Sequence, residues 1–114
     1  MLKIATTPKF TAPVKFETPG GDGRPERHQY TAVFKYLGLT EYTELMKRAY
    51  EDPDKGDALV VEEVLVGWEG VGDEHGVPLE FTPDNRDKLM DMMGARAATV
   101  KTFVKTLTGA REKN

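Results

Sequence analysis

Tyr30-Thr31-Ala32-Val33-Phe34-Lys35-Tyr36 is followed, after three residues, by Thr40-Glu41-Tyr42-Thr43-Glu44-Leu45-Met46-Lys47-Arg48-Ala49-Tyr50. The spacing of apolar residues changes between the two stretches. In the first, Tyr30, Ala32, Phe34 and Tyr36 recur at every second position, which places them on one face of a strand. Aromatic and β-branched residues suit that conformation. In the second, Tyr42, Leu45, Met46, Ala49 and Tyr50 follow at helical spacing and form one stripe. The Thr40 hydroxyl is expected to cap this helix by accepting an unpaired backbone N–H. Pro53 ends it, because the residue before a proline is pushed out of the helical region. A strand period giving way to a helix period points to an α+β domain.

Upstream, Val14-Lys15-Phe16-Glu17 alternates like a second strand. Between the two strands lie Gly20, Gly21, Asp22 and Gly23, flanked by two prolines, which is a strong turn signal. The pair reads as an antiparallel hairpin with a loop, 18–27, too long for a tight turn and expected to be mobile. Downstream, residues 57–68 carry two patterns. Val61, Val64, Leu65 and Trp68 fit a helix stripe, while Val60, Val64, Val66 and Trp68 nearly fit a strand face. Glu62 would sit among apolar side chains in a strand, and Asp57 could cap a helix. The helix is the reading adopted, with Trp68 as its core anchor, and a strand over 57–66 is the alternative.

Thr82-Pro83-Asp84-Asn85 predicts a helix start: Thr82 as cap, Pro83 at the first helical position and Asp84 at the positive helix end. Leu89, Met90, Met92 and Met93 make its apolar second half, and Gly94 can terminate it. A last helix is expected over 95–108, with Ala97, Val100, Phe103, Val104 and Leu107 as its stripe. The expected fold is thus α+β, an N-terminal β-hairpin followed by a bundle of about four short helices. It forms a single domain over 1–114, with a strand region at 1–36, a helical region at 40–108 and a frayed tail at 109–114.

The chain has 114 residues, one domain's worth, with 39% hydrophobic and 31% charged residues, so a real core is within reach. It contains no cysteine. Disulfides, thiolate nucleophiles and cysteine-based metal sites are therefore excluded. The start of the chain resembles neither a signal peptide nor a membrane span. The net charge of −3 is unevenly spread: residues 51–91 hold thirteen Asp/Glu against three Lys/Arg, and residues 92–114 hold five Lys/Arg against one Glu. The acidic middle repels nucleic-acid phosphates. The basic end suits an acidic partner, or a fold-back onto the middle.

No chemistry assembles from the remaining residues. His28 and His75 are the only histidines, and neither belongs to a metal-binding spacing. Glu69, Asp73 and Glu74 lack the alternating ligands and closing Glu of a calcium loop. Glu62 and Glu63 are adjacent and do not face one another on a helix. The glycines at 67, 70, 72 and 76 form no phosphate-binding motif. Met90, Met92 and Met93 stand out instead, since methionines suit adaptable binding surfaces. Neither a catalytic site nor a cofactor is expected; the expected activity is binding other proteins.

One stretch carries a resemblance. Gly67-Trp68-Glu69-Gly70-Val71 leads to Asp73-Glu74-His75-Gly76-Val77-Pro78-Leu79-Glu80-Phe81-Thr82-Pro83-Asp84-Asn85 and then to a helix. With the strand at Tyr30–Tyr36 before it, this resembles the tail assembly chaperones of long-tailed, double-stranded DNA bacteriophages, over roughly residues 14–107. The resemblance implies strands before a helical bundle and a non-catalytic role in virion morphogenesis, in the host bacterial cytoplasm. Such chaperones coat the helical tape measure protein, keep it soluble while the tail tube assembles, and leave before the tail matures. The tail tube protein is a second candidate partner, and self-association fits a protein that coats a filament. The resemblance would make Trp68, Phe81, Thr82 and Pro83 structural anchors. Met90, Met92 and Met93, or the basic Lys101 and Lys105, would be partner contacts. Two alternatives stay open: a structural tail or head–tail connector component retained in the virion, and a small metal-binding regulator or enzyme.

Overall fold

A computed structural model describes residues 1–4 and 7–109. Its elements run β1 (Lys9–Pro19), β2 (Pro25–Lys35), α1 (Leu39–Glu51), α2 (Gly56–Val64), β3 (Leu65–Glu69), α3 (Pro83–Met90) and α4 (Ala95–Thr108). The three strands form one antiparallel sheet in the order β1-β2-β3. The α+β class, the N-terminal hairpin and the four helices are as the sequence predicts. The third strand, inserted between α2 and α3, is not.

The hairpin is longer and its turn tighter than expected. Pairing continues through Thr18↔Glu26 to Pro19↔Pro25, so half of the expected loop 18–27 is strand. The turn closes with Gly20 N donating to Arg24 O at 2.7 Å and Gly23 N to Gly20 O at 2.9 Å. Gly23 takes the left-handed conformation, φ 83°, that such a short turn requires. The polar composition that reads as a loop belongs to a ribbon extending past the core. Cross-strand contacts between polar groups hold it there: Thr18 Oγ1 with His28 Nε2 at 2.7 Å, and Arg27 with Glu17 at 3.6 Å.

β1 forms one edge of the sheet. Tyr36 N donates to Pro8 O at 3.0 Å, which makes Pro8 and Tyr36 a bonded pair. Counting by twos along the register, the even-numbered residues of β1 bond to β2. Lys9, Thr11, Pro13, Lys15, Glu17 and Pro19 therefore turn their backbone groups to the open side. Two of these six carry no N–H.

The misreading of 65–68 has a definite cause. Phe34 pairs with Leu65 and Val33 with Gly67, so Val66 is the extra residue of a β-bulge. The bulge puts Leu65 opposite Phe34 and Trp68 opposite Ala32, both on the core side of the sheet. That spacing of three imitates a helix stripe. Helix and strand also abut directly, Val64 ending α2 and Leu65 beginning β3. Trp68 is accordingly a half-buried strand residue and not the anchor of a helix.

Two expected caps are corrected as well. α1 starts at Leu39 with Gly38 as its cap residue, and α2 starts at Gly56 after Lys55; neither makes a side-chain cap bond. Thr40 and Asp57 lie inside the first turns. α3 ends at Met90, before Met92 and Met93, and Gly94 (φ 85°) begins α4 instead of closing α3. Of the tail expected at 109–114, everything after Gly109 lies outside the described residues.

The helices cover one face of the sheet, α4 against β1 and α2 between α1 and α4. Val14, Ala32, Phe34, Leu45, Val60, Val64 and Phe103 are buried at the junction. Thr99 is the buried polar residue among them. Its Oγ1 lies 2.8 Å from the Ala95 carbonyl, to which it donates, and 2.7 Å from the Tyr30 hydroxyl. Because the Thr99 proton is committed to Ala95, Tyr30 is the donor in the second bond. This link ties β2 to α4.

Two outcomes follow. Thr99→Val leaves a buried phenol without an acceptor and is expected to destabilise by about 1–3 kcal/mol, whereas Tyr30→Phe, which leaves the Ala95 bond intact, is expected to cost about 0.5–1.5 kcal/mol. Urea denaturation of the two variants checks the order. Burial also raises the Tyr30 pKa from 10.0 to about 12, partly offset by the Thr99 bond. The folded value lies above the unfolded one, so this stabilisation is complete below pH 10 and is lost as pH rises toward about 12. Tyr30→Phe should remove a decline reaching about 2 kcal/mol at the upper end. Comparing the two proteins' denaturation midpoints between neutral and strongly alkaline pH measures it.

Candidate functional site

The stretch Gly67–Asn85 is built as scaffold. Trp68 Nε1 donates to Leu79 O at 2.9 Å, and the Trp68 ring meets Phe81 edge-on at 5.0 Å between centroids. Asp73 Oδ1 accepts from His75 N at 2.8 Å and Val77 N at 2.9 Å, and Asp73 N donates to Val77 O at 2.9 Å. Gly76, φ 78°, completes that turn. Thr82 Oγ1 accepts from Asn85 N at 3.1 Å with Pro83 in the first turn, and Asn85 Nδ2 donates back to Glu80 O at 2.9 Å. Oδ1 of Asp73 is thus occupied by two backbone N–H groups of its own turn. Among the described residues no group of three or more His, Asp or Glu could hold a metal ion. Glu63 pairs with Lys35 at 3.5 Å, and the His28 ring lies beside Phe16 at 5.1 Å. No helix of the described residues is long and apolar enough to cross a membrane.

What the helices leave open is a groove of about 340 Å³. α1 supplies Met46, Ala49 and Tyr50 to it, α2 supplies Gly56, Asp57 and Val60, α4 supplies Val100 and Val104, and Pro53 closes the α1–α2 end. Its shape follows from the apolar stripes. Leu45 and Phe103 point into the core, fully buried, and the next residues around each helix, Ala49, Tyr50, Val100 and Val104, fall at the boundary with solvent. Tyr50 is 83% exposed, a large ring standing at the groove with little to cover it. Gly56 is buried where α2 passes the Ala49 carbonyl, which lets α2 lie close enough to floor the groove.

The sequence-derived contacts divide. Met90 is buried in the core, whereas Met92 and Met93 are exposed, Met93 at 80%. Met92 lines a separate hollow with Phe16, His28 and Leu89, sharing no residue with the groove. Lys101 and Lys105 are exposed on α4, each one residue beyond a groove-lining valine. Neither lysine is among the residues that line the groove, and Met90, Met92 and Met93 lie elsewhere. The groove residues themselves read as core from sequence. The available signal was stripe width: Tyr42 to Tyr50 and Val100 to Leu107 each offer more apolar residues than one buried face uses.

A family model described as phage tail assembly chaperone matches the chain over residues 1–114. No curated protein and no solved structure matches it.

Proposed function

Given that the chain belongs to the phage tail assembly chaperone family, we propose that it binds the tape measure protein and keeps it soluble while the tail tube assembles, without catalysis, in the host bacterial cytoplasm. The observation that supports this is the open apolar groove between α1, α2 and α4, with Tyr50 standing exposed at it. A helix laid into a groove between helices buries its apolar stripe without a covalent step. An exposed aromatic ring is the kind of side chain that carries binding energy at such contacts. Reversible release requires that the groove be shallow and open.

The test is co-expression with the tape measure protein from the same phage genome, followed by inspection of purified tails. Capture and solubilisation, with this chain absent from finished tails, is the expected result. Stable retention in the tails would make it a structural component. Tyr50→Asp should weaken capture by about tenfold or more while leaving the thermal midpoint nearly unchanged, because the side chain packs on so little. Undiminished capture by that variant would move the contact to another surface.

A further inference from the structure

The groove is apolar with one charged exception. Of the side chains lining it, only Asp57 carries a charge, and it is exposed. Asp57 closes the segment Glu51-Asp52-Pro53-Asp54-Lys55-Gly56-Asp57, which joins α1 to α2 and holds four carboxylates against one lysine. Asp52 is engaged locally, its Oδ1 accepting from Lys55 N at 3.3 Å. Glu51, Asp54 and Asp57 enter no ion pair among the described residues. The α1–α2 end of the groove is therefore negative, while the lining residues of α4, Val100 and Val104, are uncharged and the exposed Lys101 and Lys105 lie one position further round that helix.

Resting on the function proposed above, we infer that the groove selects a partner helix whose apolar stripe is bordered by Lys or Arg, seated so that these cations meet Asp57 and Asp54. The occupant is a helix because its walls are helices and the sheet edge is not part of it. Apolar anchors at i, i+3, i+4 and i+7 fill such a groove. Exposed ion pairs are individually weak, so burial supplies the affinity and the carboxylates choose among apolar helices. An acidic helix is rejected by like charge.

Two labelled amphipathic peptides of about 18 residues, five turns, test this without the tape measure protein. They share one Leu/Ala stripe and differ only in bordering Lys or Glu. Fluorescence anisotropy with the full chain should show the Lys-bordered peptide binding about tenfold tighter at low salt. The preference should shrink as salt screens it. Asp54→Lys with Asp57→Lys should abolish or reverse it, and Glu26→Lys on the distant hairpin should leave it intact. Thermal melts confirm that each variant is folded. Equal binding of the two peptides, binding of neither, or a preference that survives the double reversal overturns the inference. So does a homodimer that the double reversal dissolves, since the occupant would then be a second copy. Failure of the wild type to capture the tape measure protein would instead strike the proposed function and leave the peptide result standing.

Discussion

Phe103→Ala is expected to lower the unfolding free energy by about 3–5 kcal/mol, the largest loss from any single truncation in this chain. The ring, on α4, is fully buried and meets aromatic rings from three other elements. It lies 5.3 Å from Phe34 of β2, edge-on, 6.1 Å from Phe10 of β1 and 6.4 Å from Tyr42 of α1, measured between centroids. Removing it opens a cavity walled by a sheet and two helices, which are held apart by their other contacts. A domain of this size has only about 5–15 kcal/mol in total, so a large part of the population should unfold at moderate urea. Equilibrium denaturation by circular dichroism measures it. A loss below about 1 kcal/mol would mean that α4 collapses onto β1 and fills the space.

The second expectation concerns a side chain that is missing. Gly56→Ala would place a Cβ against the backbone carbonyl of Ala49, and a backbone oxygen cannot rotate aside. Either α2 withdraws from α1 or the last turn of α1 shifts. Alanine is the better helix former by about 1 kcal/mol, but overpacking of this kind costs about 1–3 kcal/mol or more, so net destabilisation is expected. Because α2 floors the groove at this point, capture of the tape measure protein should weaken too. Gly21→Ala is the control: nothing lies near its Cβ position, and its φ is not positive, so no loss is expected there. Equal stability of the two variants would show that the close approach of α2 is easily relaxed.

Much of this architecture was legible in the residues. The period change between Tyr30–Tyr36 and Tyr42–Tyr50 located a strand and a helix. Thr82-Pro83 located the start of α3, and the spacing from Val100 to Leu107 located α4. Each of these signals is local. The features that were not legible depend on partners distant in sequence. β3 exists because β2 offers it an edge, and its bulge at Val66 disguises the strand period. The hairpin continues past the core because its strands bond to each other, a fact that polar composition does not record. Thr99 reads as a surface threonine on a helix until Tyr30, 69 residues away, is brought to it.

The candidate groove was hidden for the same reason. Met46, Ala49, Val100 and Val104 are indistinguishable from core residues until the packing of three helices decides which of them stay open. The family resemblance rested on Gly67–Asn85, and those residues hold turns, rings and a cap. The residues that carry the resemblance thus hold the shape of this stretch, and none of them lines the groove.

The open side of β1 has a consequence for life at high local concentration. On the function proposed above, copies of the chain would crowd along one filament and bring exposed strands together, and a bare edge of eleven residues would invite fibre growth. With no amide hydrogen at Pro13 or Pro19, and with charged Lys9, Lys15 and Glu17 between and before them, an incoming strand finds an interrupted ladder. Colloidal stability is written into the backbone there, independently of how well the core is packed.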